Sequence, residues 1–152
     1  MATIVLERVI PAPSEQVFDL SLDVGLHLES QSSHDERVAA GRTSGMLHEG
    51  EQITWAARHF GVRFRMTSLV FDVDRPHGFS DRQTKGPFAA FLHTHEFLPT
   101  TDGTLMRDTI EFRSPFGLLG RAVDAVVMRR HLARVITERN DAISAQFPAP
   151  RA

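Results

Sequence analysis

The chain has 152 residues, of which 41% are hydrophobic and 24% charged, and its formal net charge is −2. These totals are typical of one soluble globular domain, and the absence of a basic surplus excludes a phosphate-dominated nucleic-acid interface. The chain has no cysteine, which excludes thiol catalysis, disulfides and zinc–thiolate sites. The first residues, MATIVLERVI, lack a signal-peptide pattern, and no apolar run could span a bilayer, so we expect a cytoplasmic protein without a membrane span.

The first third of the chain predicts a strand, short helices and a further strand. Residues 3–10, TIVLERVI, are rich in β-branched side chains and end at Pro11, which is typical of a strand. Apolar side chains at helical spacing follow Ser14, a candidate N-cap, and Gly25 marks a break. We therefore expect one or two short helices between about residues 14 and 29, and a strand in ERVAAGRT.

Residues 51–73, EQITWAARHFGVRFRMTSLVFDV, predict a β-hairpin. A two-residue turn at Phe60-Gly61 would pair His59 with Val62 and Trp55 with Met66. One face then takes arginine and threonine, and the other takes apolar side chains, which predicts one wet and one buried face. The predicted buried face consists of Ile53, Trp55, Ala57, Val62, Phe64 and Met66.

Three more strands are predicted in GFSDRQT, FAAFLHTHEFL and TLMRDTIEFRS. Alternation along the last of these places Asp108 on the same inner face as three apolar residues. If the loop before that strand has an even length, His93 and His95 lie on that face too, whereas an odd length would reverse them. The inner face predicted in this way carries Phe91, His93, His95, Phe97, Met106, Asp108, Ile110 and Phe112.

The chain ends in a predicted long helix from about Leu118 to Phe147, after the breaker SPFG. An apolar stripe runs along it at helical spacing, and Arg129 falls on that stripe. The stripe consists of Leu118, Ala122, Ala125, Leu132, Ile136 and Ile143. The predicted wet face consists of Asp124, His131, Arg134, Glu138 and Asp141.

Four segments together resemble one superfamily: IPAPSEQVFDL, TWAARHFG, GPFAAFLHTHEFLPTTDGTLMRDTIEFRSPFG and LLGRAVDAVVMRRHLARVITERNDAI. The chain resembles the helix-grip superfamily of the birch-pollen allergen, START lipid-transfer domains and polyketide cyclases/dehydrases (SRPBCC), in a bacterial ligand-binding subset. The resemblance implies an α+β fold in which a seven-stranded curved antiparallel sheet wraps around a long C-terminal helix. It also implies two short helices after strand 1, an apolar cavity, one domain over residues 1–147 and a tail over residues 148–152.

The polar residues of the predicted inner face are His93, His95 and Asp108. An Asp on an apolar sheet face needs hydrogen bonds, and an imidazole of His95, opposite or diagonal to Asp108, is the obvious partner. Four interpretations stay open. The cluster is a self-satisfied structural network, a polar floor that orients a ligand, or a metal site of the facial-triad type, or else the histidines face solvent.

We expect the chain to bind a small hydrophobic molecule with one polar end, such as a lipid, a polyketide or an aromatic compound. We expect no cofactor and no bound metal. The sequence leaves the oligomeric state open, with a homodimer among the options. The predicted ligand-binding residues are Trp55, Phe64, Met66, Phe91, His93, His95, Asp108, Ile110, Phe112 and Arg129.

Two alternatives belong to other classes of protein. One is an enzyme of cyclase or dehydratase type, with His95 as base, Asp108 as its orienting partner and Arg129 as anion stabiliser. The other is a protein-interaction module, which would need an exposed apolar patch. The predicted outer faces carry Arg, Thr and Glu, which counts against this second alternative.

Overall fold

The computed structural model describes residues 1–149 of the chain, so part of the predicted tail, residues 150–152, lies outside the described residues. One antiparallel sheet with the strand order β1-β7-β6-β5-β4-β3-β2 wraps around the C-terminal helix. This confirms the predicted α+β helix-grip fold. The strands are β1 Ala2–Ile10, β2 Arg37–Ala40, β3 Gln52–His59, β4 Val62–Asp74, β5 Gly78–Lys85, β6 Ala90–Thr100 and β7 Gly103–Arg113. The helices are α1 Ser14–Ser21, α2 Val24–Ser30, α3 Gly117–Val123 and α4 Arg129–Ala145, with a 3-10 turn at Ser32–His34 and a π-helical segment at Asp124–Met128.

The predicted register of the first hairpin is confirmed, and the second hairpin has one of the two even-length loops that the sequence allowed. In the first, His59 pairs with Val62 and Trp55 with Met66. In the second, Thr100 pairs with Gly103, so the loop between β6 and β7 has the even length that the inward orientation of the histidines requires. A fixed register matters here because a slip of one residue would move every side chain of the strand to the opposite face.

Two apolar clusters fill the space between the sheet and the helices. The larger one lies under α1 and α2, where the ring of Phe18 meets those of Phe79 and Phe97 edge-on at centroid distances of 5.6 and 5.5 Å. The smaller one lies under α4 and contains Ile110 and Phe112, both with no exposed surface. The apolar area that these clusters remove from water is the main stabilising contribution to the fold.

The C-terminal helix has a different rotation from the predicted one over its first half. Asp124, predicted on the wet face, is 4% exposed, whereas Arg129, predicted on the apolar stripe, is exposed and donates a hydrogen bond to the Thr3 carbonyl. Arg129 follows the π-helical segment, three residues before the buried Leu132, so it keeps its position on the stripe, and its side chain reaches outward to Thr3. The π-helical segment explains only the position of Asp124. Its i→i+5 hydrogen bonds add a residue to one turn, and one residue corresponds to a rotation of about 100°.

Asp124 joins the start of this helix to the end of β7. Its carboxylate accepts hydrogen bonds from the backbone N–H of Ser114, at 2.9 Å, and from the Ser114 hydroxyl. We expect Asp124→Ala to lower the free energy of unfolding by about 1–3 kcal/mol, because it leaves a partly buried donor unpaired. Urea denaturation would measure the loss. Asp141→Ala on the exposed side of α4 is the control, and an equal loss there would contradict the assigned role of Asp124.

The same rotation turns large apolar side chains outward. Phe116 is 82% exposed, Leu118 79%, Leu119 69% and Val126 74%. The prediction that the outer surface lacks an apolar patch is therefore wrong for α3 and the π-helical segment.

No helix within residues 1–149 is both long and apolar enough to cross a membrane.

Candidate ligand cavity and its polar cluster

A cavity of about 320 Å³ lies between the inner face of the sheet and α4. This volume is at the lower end of the range for small-molecule sites. Leu132 and Ile136 of α4 form one wall, and the strands supply an aromatic and apolar wall opposite. The sheet side and the loop before β6 contribute Trp55, Ala57, Phe64, Met66, Phe88 and Phe91.

One corner of the cavity is polar. Asp81 of β5 and His93 of β6 line it, and they face each other across neighbouring strands. His95 lies one inward position further along β6, beside a smaller cavity of about 90 Å³ that also contacts Asp81 and His93. The imidazole rings of His93 and His95 stack in direct contact, with their centroids 3.7 Å apart.

The hydrogen bonds within this corner differ from the predicted pairing. The Nε2 atom of His93 lies 2.7 Å from Asp108 Oδ1, and the Nε2 atom of His95 lies 2.7 Å from Asp81 Oδ2. The predicted dyad, His95 with Asp108, has a longer separation of 3.3 Å between Nδ1 and Oδ1. Asp108 stands opposite His95 in register, but its short bond goes to the diagonal neighbour, because Asp81 on the other flanking strand takes His95.

Arg139 and Asn140 of α4 complete the cluster, and the sequence analysis did not identify them. Arg139 Nη1 lies 3.2 Å from Asp108 Oδ1, and Asn140 Nδ2 donates to Asp108 Oδ2 at 2.8 Å. Both side chains are buried. The helical spacing contained the signal, since residues 139 and 140 are three and four positions after Ile136 and so lie on the apolar stripe.

Asp81 was also missed. It is two residues after Phe79 on β5, and strand alternation therefore places it on the same inner face as that buried ring. The alternation of Phe79 and Asp81 was the signal that could have identified this carboxylate.

The charges of the cluster are set by burial and by the partners. Burial raises the pKa of Asp108, but the Arg139 guanidinium and the hydrogen bonds from His93 and His95 outweigh it and hold this pKa well below its ordinary value. Burial also raises the pKa of Asp81, and the hydrogen bond from His95 reverses that effect, so the net shift is downward. Burial, followed by the charge of His95, lowers the pKa of His93. Asp81 and Asp108 are therefore carboxylates, and His93 is neutral at pH 7.

The proton of neutral His93 is on Nε2, because the ionised Asp108 beside that atom can only accept. The lone pair on Nδ1 then points toward the cavity side. It lies 4.0 Å from Asp81 Oδ2 and makes no hydrogen bond to the described part of the chain. His93 thus offers a hydrogen-bond acceptor to whatever occupies the cavity.

Residues 1–147 match the family model described as polyketide cyclase / dehydrase and lipid transport. The chain belongs to this family. The predicted resemblance to the START and birch-pollen-allergen superfamily is thereby confirmed. Among curated protein sequences, none matches this member of the family.

Solved structures share the fold of this polyketide cyclase/dehydrase and lipid-transport family member. Protein TTHA0849 from Thermus thermophilus superposes with a TM-score of 0.72 at 21% identity, over 95% of this chain and 99% of that one. A START superfamily protein from Mycobacterium smegmatis gives a TM-score of 0.72 at 11% identity, over 95% and 96% of the two chains. Major latex-like protein 151 from Panax ginseng gives 0.71 at 10% identity, over 97% and 98%. These likenesses concern the fold.

The structure brings five of the predicted ligand-binding residues to the main cavity of this family member: Trp55, Phe64, Met66, Phe91 and His93. His95 lines the smaller cavity, and Asp108 lies behind the histidines with no exposed surface. Ile110 and Phe112 belong to the core cluster under α4 instead. Arg129 does not line the cavity, because its exposed side chain donates a hydrogen bond to the Thr3 carbonyl, and the buried arginine of the site is Arg139.

A second histidine cluster forms part of the cavity wall in this family member. His131 Nε2 lies 3.0 Å from His59 Nδ1, and the ring of His34 lies 4.7 Å from that of His59. Burial, followed by the charges of His59 and His34, lowers the pKa of His131 to about 4. His34 Nε2 in turn lies 3.0 Å from Glu138 Oε2 on α4. These rings join the strand β3, the 3-10 turn and α4 beside the cavity.

Proposed function

We propose that the chain binds a small hydrophobic molecule with one polar end, inside the cavity between the sheet and α4. The observation that supports this most directly is a predominantly apolar cavity of about 320 Å³ that has a polar corner at Asp81 and His93, in addition to the histidine cluster and Gln31 on its wall. The family description, which includes lipid transport, agrees with a hydrophobic ligand. Burial of the ligand's apolar part would supply the affinity, and the polar corner would fix its orientation.

The polar groups that line the cavity predict which polar end fits. The Asp81 carboxylate and the Nδ1 atom of His93 both accept hydrogen bonds. Gln31, which is 2% exposed, also lines the cavity, and its Oε1 atom has no hydrogen-bond partner within residues 1–149. A ligand with hydroxyl groups would donate to these acceptors, whereas a carboxylate would meet the like charge of Asp81. We therefore propose a neutral, hydroxylated apolar ligand.

A cavity-filling variant tests the binding proposal. Ala57 is 5% exposed and lines the cavity, so Ala57→Phe would place a ring in the ligand volume. We expect an apolar fluorescent probe to bind the native chain and to bind Ala57→Phe at least about 10-fold more weakly. Val5→Phe on the exposed side of β1 is the control, because it adds apolar area outside the cavity. Equal probe binding by all three proteins would contradict the proposal.

A matched pair of ligands tests the polar end. We expect 2-naphthol to bind about 10-fold more tightly than 2-methoxynaphthalene, because the methyl ether cannot donate to His93 or Asp81 and leaves them unpaired. Isothermal titration calorimetry would give both dissociation constants. In His93→Phe the preference should largely disappear. If the methyl ether binds as well as the naphthol, the polar corner does not select a hydrogen-bond donor.

An enzyme of cyclase or dehydratase type is the second candidate, and one observation favours it. His93 has the arrangement of a general base, with Asp108 fixing Nε2–H and the Nδ1 lone pair on the cavity side. This assigns the role of base to His93 in place of His95. We expect His93→Gln to reduce dehydration of a β-hydroxyketone at least about 100-fold, measured by enone absorbance. His77→Gln, at a 69% exposed side chain, should leave the rate unchanged.

The domain boundaries, the cellular location and the oligomeric state remain predictions from the sequence. We propose that residues 1–147 form one domain, since β1, β7 and α4 contribute to both apolar clusters and α1 packs into the larger one. The cytoplasmic location and the homodimer remain predictions. Size-exclusion chromatography with light scattering would measure the oligomeric state.

A further inference from the structure

Three metal-binding side chains converge at the polar corner of the cavity. Asp81 Oδ2, a ring nitrogen of His93 and a ring nitrogen of His95 all lie within 4.8 Å of one another. Asp81 Oδ2 is 2.7 Å from His95 Nε2 and 4.0 Å from His93 Nδ1. Ligand atoms that share one tetrahedral zinc ion lie about 3.3–3.6 Å apart, given bond lengths of about 2.0–2.2 Å. Side-chain movements of about 1–2 Å would therefore give coordinating distances.

We propose that Asp81, His93 and His95 bind one divalent transition-metal ion, with Zn²⁺ as the preferred ion. Two imidazoles and one carboxylate form a donor set that suits zinc and related ions, whereas Mg²⁺ and Ca²⁺ prefer oxygen ligands throughout. The ion would lie at the polar end of the cavity already described. The inference thus deepens the binding proposal, and its statement about the ligand class rests on that proposed function.

The outer partner of His93 is already in place for metal binding. Ligating histidines typically donate their other N–H to a carboxylate, which fixes the ring and makes the ligating nitrogen more basic. His93 does this through Nε2, which lies 2.7 Å from Asp108 Oδ1. The Nδ1 atom of His95 accepts a hydrogen bond from Arg139 Nη2 at 3.2 Å, so His95 carries its proton on Nε2 beside Asp81, and a metal ion would have to displace that proton. Asp108 is itself held by Arg139 and Asn140, so the imidazole of His93 is oriented before any ion arrives.

The charge of the cluster also favours a cation. Asp81 and Asp108 contribute two negative charges, and Arg139 contributes one positive charge. When both imidazoles are neutral, as metal ligation requires, one negative charge is left without a partner at a largely buried site. An unpaired buried charge is costly, and a divalent cation would compensate it.

The position of the ion would allow it to contact the cavity ligand. Three protein ligands leave at least one coordination position free, as in catalytic zinc sites. Asp81 and His93 line the main cavity, so this free position would face the ligand. A hydroxyl, phenol or enol oxygen is the group that would coordinate there. A hydroxylated ligand is also the class proposed above for the protein without a metal ion, from the hydrogen-bond acceptors of Asp81, His93 and Gln31.

Titration of the EDTA-treated full chain with Zn²⁺ tests the site. We expect one ion per chain with a dissociation constant of about 1 µM or tighter, and at least about 100-fold weaker binding in Asp81→Asn and in His95→Gln. Substitution with Co²⁺ supplies a spectroscopic readout, because its visible absorption reports nitrogen and oxygen ligation. His77→Gln, at an exposed ring outside the cavity, is the control. His131→Gln reports whether zinc binds instead at the cluster of His34, His59 and His131.

Several outcomes would overturn the metal site. These are no binding below about 100 µM Zn²⁺, retention of affinity in both Asp81→Asn and His95→Gln, or loss of affinity in the folded His131→Gln variant alone. Circular dichroism of each variant confirms folding. Asp81→Asn is a mild change, because the Asp81 side chain is partly exposed and asparagine has nearly the same size as aspartate. Probe binding by the EDTA-treated protein separates the two proposals. Probe binding without zinc binding refutes the metal site and leaves the cavity function intact.

Discussion

Asp108→Ala should lower the free energy of unfolding by about 3–5 kcal/mol, because it leaves the buried Arg139 guanidinium without its carboxylate. Asp108 has no exposed surface and accepts hydrogen bonds from His93, Arg139 and Asn140. Removal of the carboxylate would leave the donors of His93 and Asn140 unpaired, and Arg139 would keep only its hydrogen bonds to Asn140 and His95. A loss of this size is a large fraction of the total stability of an ordinary domain.

A double variant distinguishes loss of the charge partner from simple loss of packing. Replacing the pair with apolar residues, in Asp108→Leu with Arg139→Met, should recover most of the stability that Asp108→Leu alone loses. Urea denaturation of the two single variants and of the double variant provides the cycle. Asp102→Ala in the exposed β6–β7 loop is the control and should change stability little. If the single and double variants lose stability additively, the two side chains are not coupled.

The stability of the protein should fall as the pH is lowered from about 6.5 to about 4. The pKa of His131 falls from 6.5 to about 4 because of burial and the neighbouring His59 and His34. In this window the unfolded chain binds a proton at residue 131 and the folded chain does not, so stability rises with pH across it. His131 is only half-buried, so water screens the effect, and we expect it to contribute about 1–2 kcal/mol.

His93 and His59 should act in the same direction, since the pKa of each is also lowered, in both cases primarily by burial. The groups that face His131 include Arg134, whose charge opposes its protonation, and Glu138, whose charge favours it. We expect His131→Gln to flatten the pH dependence of the unfolding free energy between about pH 7 and pH 4.5. His77→Gln, at an exposed ring, should leave the curve unchanged. An identical curve for His131→Gln would show that this ring is not a source of the dependence.

The sequence by itself determined the parts of the fold that follow from alternation within strands. The turn at Phe60-Gly61 fixed the register of the first hairpin, because a period of two allows one choice once one face is apolar. Alternation also placed Asp108 on the inner face, whereas His93 and His95 joined it only through the even length of the loop at Thr101-Asp102, which the structure decided. The turn and the alternation are local properties of neighbouring residues, and they can be read without knowledge of distant contacts.

The tertiary structure alone decided which side chains meet. Period-two alternation gives a side chain its face but leaves its rotamer free, so the exchange of partners, Asp108 to His93 and Asp81 to His95, required the packed strands. The contribution of Arg139 depended on which turn of α4 lies over β7. The buried position of Asp124 depended on the π-helical segment, whose additional residue changes the rotation of the helix without an evident signal in the sequence.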